Sequence, residues 1–189
     1  MFAFTALAWY RRAPAATSLG LLFATCVILG LLGVGPQQVV FTAALAVYAV
    51  VISAVALLSW YVVARPDLAD LVRTFVPNWS LWLLVPGALL LSIVNAATEE
   101  AAYRGVVLEA LDTALGPGPL AVFLQALAFG ALHFRGGFPR GTVGVGLVFV
   151  YGVALGALRR KTNGLLAPWI VHVLTDLVIF AIVLALARA

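Results

Sequence analysis

Long, almost uncharged apolar stretches follow one another along this chain and are separated by short turns. The first two occupy residues 17–34 and 37–64 and are split by a Gly-Pro pair. At about 1.5 Å of rise per residue, each can cross a hydrocarbon core about 30 Å thick. Of 189 residues, 65% are hydrophobic and only 10% are charged, which lies far outside the composition of soluble proteins. The sequence therefore predicts an all-α, polytopic membrane protein.

The rest of the chain continues this pattern. Further apolar stretches predict helices at 80–112, 120–134, 142–158 and 165–187. A short interfacial helix is expected at 65–78, where apolar residues recur at helical spacing between two prolines. Because 80–112 is too long for one perpendicular crossing, it must tilt, bend or protrude. These stretches predict a bundle of about six transmembrane helices, with no separate domain in residues 1–189.

Net charge and cysteine usage narrow the function classes. The formal net charge of +4 comes from arginines in short loops, as membrane topology requires, so a lipid bilayer is the expected partner and nucleic acid is not. We expect a multi-pass protein of the cytoplasmic membrane. The basic triplet at 159–161 does not fit the alternation of the other basic loops. The single cysteine, Cys26, excludes an intramolecular disulfide and a thiolate metal cluster.

Ionisable residues inside the apolar stretches are the candidate functional residues, because each costs about 2.5–3.5 kcal/mol at a helix centre. They form three groups: Glu99, Glu100 and Arg104; His133, preceded by Phe129; and His172 with Asp176. Residues four apart share a helix face, which predicts contacts within each group. Glu99 points about 100° away from Glu100, so Arg104 is not expected to pair with it.

Helix rise places the three groups at a comparable depth. From Glu99 the third helix climbs about 18 Å to its end, and the fourth returns about 19–20 Å to His133. If the sixth helix enters the membrane from the side of the Gly-Pro turn at 116–119, His172 and Asp176 lie at a similar depth. We therefore expect all three groups to face one intramembrane polar cavity.

In order and spacing, these motifs resemble those of the CPBP family of membrane proteases, also called Abi, which comprises CAAX prenyl proteases and bacteriocin-processing enzymes. The motifs are Glu99-Glu100-x-x-x-Arg104, Phe129-x-x-x-His133 and His172-x-x-x-Asp176. The chain departs from the pattern at Asp176, where the best-studied CAAX proteases carry asparagine. A carboxylate donates a hydrogen bond to an oxyanion only when it is protonated.

The resemblance implies an intramembrane endopeptidase that hydrolyses a peptide bond of a membrane-associated protein or peptide, with its catalytic core at about 80–187. Glu99, in a low-dielectric cavity, would deprotonate a water that His133 orients. His172 would stabilise the oxyanion or protonate the leaving amine, with Asp176 fixing its tautomer or sharing the oxyanion site. Glu100 would be structural and paired with Arg104.

Three alternatives remain open at this point. In a zinc-dependent version, His133, His172 and either Glu99 or Glu100 bind the metal and the other glutamate is the base. We favour the version without a cofactor, because the sequence contains no His-Glu-x-x-His motif and a glutamate-activated water needs no metal. A proton-coupled carrier and a non-catalytic, peptide-binding immunity protein would use the same residues differently. The oligomeric state is not predicted.

Overall fold

The structure is a computed structural model that describes Ala44, Val47 and residues 51–62 and 80–188. Within these residues every regular element is helical, which confirms the all-α prediction. The elements are α1 (Val51–Val62), α2 (Leu81–Glu100), a π-helical segment (Ala101–Val107), α3 (Leu108–Leu115), α4 (Pro119–Leu132), α5 (Gly141–Thr162) and α6 (Leu166–Arg188).

Three of the described helices are long and apolar enough to cross a membrane. They span Leu81–Leu115, Gly141–Thr162 and Leu166–Ala185. Two further apolar helices, α1 and α4, are shorter. These helices indicate an integral membrane protein. The expected total of six stays a prediction, because the helices at 17–34 and 65–78 and most of the first half of 37–64 lie outside the described residues.

The long third helix of the prediction is continuous but changes its winding in the middle. The helix continues through Pro86, and at Ala101 it becomes π-helical. At the end of this segment the Leu108 N–H donates to the Tyr103 carbonyl, five residues back, instead of four. Such segments are frequent at functional sites, and this one begins directly after Glu100. Periodicity of apolar residues gave no sign of it.

Glycines allow α4 and α5 to approach closely. A Cβ at Gly152 would lie 3.1 Å from Ala126 Cα, and one at Gly156 would lie 3.0 Å from Gln125 Nε2. Gln125 Nε2 also donates to the Gly152 carbonyl at 2.9 Å. Gly152 and Gly156 are four residues apart on one helix face, a spacing of small residues that permits such close packing between membrane helices.

The basic triplet at 159–161 lies inside α5 and not after it. The helix continues to Thr162 and ends at Asn163, which is left-handed with a φ of 50°. Cations in the last turn interact favourably with the negative end of the helix dipole. Arg160 also forms an ion pair with Asp112. This pair offsets one of the three charges that do not fit the alternation of the loops.

Candidate active site

Glu100 and Arg104 form a buried ion pair at the junction of α2 and the π-helical segment. Each residue is 1% exposed, and Arg104 Nη1 donates to Glu100 Oε1 at 2.8 Å, so the predicted contact is confirmed. The other amino group of Arg104 lies 3.5 Å from the Gly152 carbonyl. The guanidinium carbon stands 4.4 Å from the centroid of the Phe129 ring. A carboxylate, a carbonyl and an aromatic face thus compensate for the buried positive charge.

His172 contacts the same carboxylate from α6. Its Nδ1 lies 2.7 Å from Glu100 Oε1, and since Arg104 also donates to this oxygen, the histidine is the donor. This bond directs the Nδ1–H of His172 to Glu100. The sequence interpretation gave Asp176 two alternative roles, fixing the tautomer of His172 or sharing the oxyanion site. Asp176 Oδ1 lies on the other side of the ring, 3.7 Å from Nε2.

Glu99 is placed differently from its neighbour. Its side chain is 28% exposed, against 1% for Glu100. Its Oε2 lies 3.5 Å from His172 Nε2, whereas Arg104 is bonded to Glu100. His172 therefore stands between the two glutamates, with one ring nitrogen directed to each.

His133 is the first residue after α4 and caps this helix. Its Nδ1 lies 3.1 Å from the Phe129 carbonyl; a carbonyl only accepts, so Nδ1 donates and a neutral ring leaves Nε2 as an acceptor. Gly137 packs on the same ring: a Cβ there would lie 2.6 Å from Cδ2 and 2.8 Å from Nε2 of His133. Gly137 has a φ of +71°. The sequence interpretation assigned no function to Gly137.

Phe129 is the aromatic contact that joins the groups. Its ring centroid lies 5.2 Å from that of His133, as the four-residue spacing predicts, and 6.0 Å from that of His172. Tyr103 packs on Phe129 at 4.9 Å. Phe129 itself is buried, so its position is well constrained between the two histidines.

A cavity of about 610 Å³ lies beside these residues. Its lining includes four of the candidate residues, Glu99, His133, His172 and Asp176. The other two, Glu100 and Arg104, are not among the described residues that line it. Most of the wall is apolar and comes from α1, α2, α5 and α6, so polar groups occupy only part of it. Asn95 also lines the cavity, and its Nδ2 donates to Asp176 Oδ2 at 3.2 Å. The sequence interpretation assigned no role to Asn95.

The zinc alternative requires His133, His172 and either Glu99 or Glu100 to converge on one metal ion. No group of three or more His, Cys, Asp or Glu side chains in the described part of the chain is placed to hold a metal ion. In addition, His172 Nδ1 already donates to Glu100, so a metal would have to bind Nε2.

A comparison with known protein families gives one match. A family model described as type II CAAX prenyl endopeptidase Rce1-like matches residues 77–178, more than half of the chain. No curated protein and no solved structure showed a significant match. The matched region contains all six candidate residues from Glu99 to Asp176. The chain therefore belongs to the type II CAAX prenyl endopeptidase Rce1-like family, and this membership indicates an intramembrane protease.

Proposed function

We propose that the chain is an intramembrane endopeptidase in which Glu99 activates the water that attacks the peptide bond. The observation that carries this proposal is the division between the two adjacent glutamates. Glu100 is buried and bonded to Arg104 and His172, while Glu99 is partly exposed and lines the cavity. A general base must be able to reach both water and substrate, and Glu99 meets that condition.

The reaction begins with a water held between Glu99 and His133. Glu99 accepts one proton of the water, and the Nε2 lone pair of His133 orients the other. The resulting hydroxide adds to the carbonyl carbon of the substrate and forms a tetrahedral oxyanion. The C–N bond then breaks, and the proton that Glu99 took passes to the leaving amine. Every proton is accounted for without a metal or another cofactor.

His172 and Asp176 lie on the side of the cavity where we place the oxyanion. Glu99, Glu100 and Asp176 surround the His172 ring, and Arg104 supplies the balancing guanidinium. Three carboxylates and one guanidinium leave an excess of negative charge in a low-dielectric region.

The apolar walls of the cavity suit a substrate that is itself embedded in the membrane. Such a wall contacts an apolar chain without burying unpaired polar groups. We propose that the substrate is a membrane-associated protein or peptide, and that the enzyme crosses the cytoplasmic membrane several times as one integral domain. Cleavage of a farnesylated peptide with a CAAX terminus, compared with its unfarnesylated form, tests the substrate class. Glu99→Gln in the same assay tests the mechanism.

A further inference from the structure

Peptide hydrolysis requires a hydrogen-bond donor for the oxyanion, and the acidic residues of the site do not supply one. Glu99 and Asp176 accept hydrogen bonds when ionised. His133 already uses its Nδ1–H on the Phe129 carbonyl. His172 Nε2 faces carboxylates at 3.5 and 3.7 Å, so a proton there is directed to them. The donor must come from another group at the cavity wall.

Asn95 is placed to be that donor. It lies on α2, one turn before Glu99, and its side chain lines the same cavity. Its Nδ2 donates to Asp176 Oδ2 at 3.2 Å. Because an ionised carboxylate only accepts, this bond determines which end of the amide points to Asp176. An amide nitrogen carries two hydrogens, so one N–H remains for a substrate oxygen.

We infer that the side-chain amide of Asn95 stabilises the oxyanion of the tetrahedral intermediate, and that Asp176 holds this amide in position. This inference rests on the proposed endopeptidase activity. Asn95 is then the oxyanion-binding residue, and Asp176 is a positioning residue that acts through it. The pair joins α2 to α6 at the cavity wall, and Asp176 Oδ1 lies 3.7 Å from His172 Nε2.

Removal of Asn95 tests the first half of the inference. Loss of one oxyanion donor costs about 10²–10³-fold in kcat, so we expect Asn95→Ala to lose this much with little change in KM. The affinity for a peptide phosphinate, which mimics the tetrahedral intermediate, should fall in parallel. Thr98→Ala is the matched control on the same helix, since the Thr98 hydroxyl donates to the Val94 carbonyl of its own helix. Unchanged thermal unfolding would show that Asn95→Ala is folded.

Transposition of the pair tests the second half. Asn95→Asp places two carboxylates together and should be at least as inactive as Asn95→Ala, because neither side chain donates. In Asn95→Asp/Asp176→Asn the amide returns on the opposite helix, about 3 Å from its original place. We expect this double variant to recover about tenfold or more of the kcat that Asn95→Asp loses. A purely structural pair would restore thermal stability without restoring kcat.

Two results would overturn the inference. One is a kcat of Asn95→Ala equal to that of Thr98→Ala. The other is a transposed variant that folds but recovers no kcat. Glu99→Gln, measured in parallel, separates this inference from the proposed function. If Glu99→Gln is inactive and Asn95→Ala is fully active, the role of Asn95 is wrong and the endopeptidase mechanism stands. If Glu99→Gln is fully active, the mechanism itself is wrong.

Discussion

His172 Nδ1 lies 2.7 Å from Glu100 Oε1, and this hydrogen bond joins α6 to the end of α2. The same oxygen accepts a hydrogen bond from Arg104 at 2.8 Å. The buried ion pair is therefore more than a local helix contact, because it fixes the tautomer and the orientation of a histidine at the cavity. Glu100 acts through His172, while Glu99 faces the cavity directly.

Arg104 should be essential for stability. Arg104→Gln leaves the buried carboxylate of Glu100 without its cationic partner, and breaking a buried pair costs about 3–5 kcal/mol. Thermal unfolding in detergent micelles measures this loss. The double variant Glu100→Gln/Arg104→Gln removes both charges and should be more stable than Arg104→Gln alone. Arg135→Gln, at an exposed arginine, is the control, and an equal Tm for Arg104→Gln and Arg135→Gln would contradict this prediction.

Gly137 should be needed to position His133. In Gly137→Ala the new methyl group would collide with the imidazole, and a φ of +71° adds about 1–2 kcal/mol of backbone strain. We expect kcat to fall because the water-orienting nitrogen moves. Gly136→Ala is the matched neighbour, since a Cβ there meets only the Leu132 carbonyl, at 3.7 Å. Equal cleavage rates for the two variants would show that the ring is not held by Gly137.

The contact between α4 and α5 should be sensitive to size at Gly152. Gly152→Val places side-chain atoms against Ala126 and Phe129, which a Cβ would already approach within 3.1 and 3.2 Å. Overpacking of this kind costs about 1–3 kcal/mol, and it should also lower activity by displacing Phe129. Gly146→Ala, where a Cβ meets nothing within 4 Å, should retain the wild-type Tm. If Gly152→Val unfolds at the same temperature as Gly146→Ala, the packing account is wrong.

Chelation distinguishes the glutamate mechanism from the zinc alternative. The proposed reaction includes no metal, so dialysis against a strong chelator should leave the cleavage rate of the purified protein unchanged. Elemental analysis of the same active sample gives the metal content per chain. Loss of cleavage on chelation with recovery on added zinc would favour a zinc-dependent enzyme.

Contacts within one helix could be predicted from the sequence. Glu100 with Arg104 and Phe129 with His133 are each four residues apart, and helix geometry alone brings such residues together. The close approach at Gly152 fits the same helix geometry, because two small residues on one face leave room for a neighbouring helix.

Contacts between helices could not be predicted in detail. The bond from His172 to Glu100 spans 72 residues and depends on how α6 is rotated against α2, which periodicity does not determine. The π-helical segment could not be predicted either, because the spacing of its apolar residues does not differ visibly from that of an α-helix. The pairing of Asn95 with Asp176 likewise depends on how α6 is rotated against α2.

The central claim is that Glu99 is the base, and single-turnover cleavage by Glu99→Gln tests it most directly. General base catalysis contributes about 10²–10⁴-fold, so the rate should fall by at least this much while Tm and membrane insertion stay as in wild type. Glu109→Gln, at an exposed glutamate further along the same long helix, is the control and should cleave at the wild-type rate. A folded Glu99→Gln that cleaves as fast as Glu109→Gln would contradict the account.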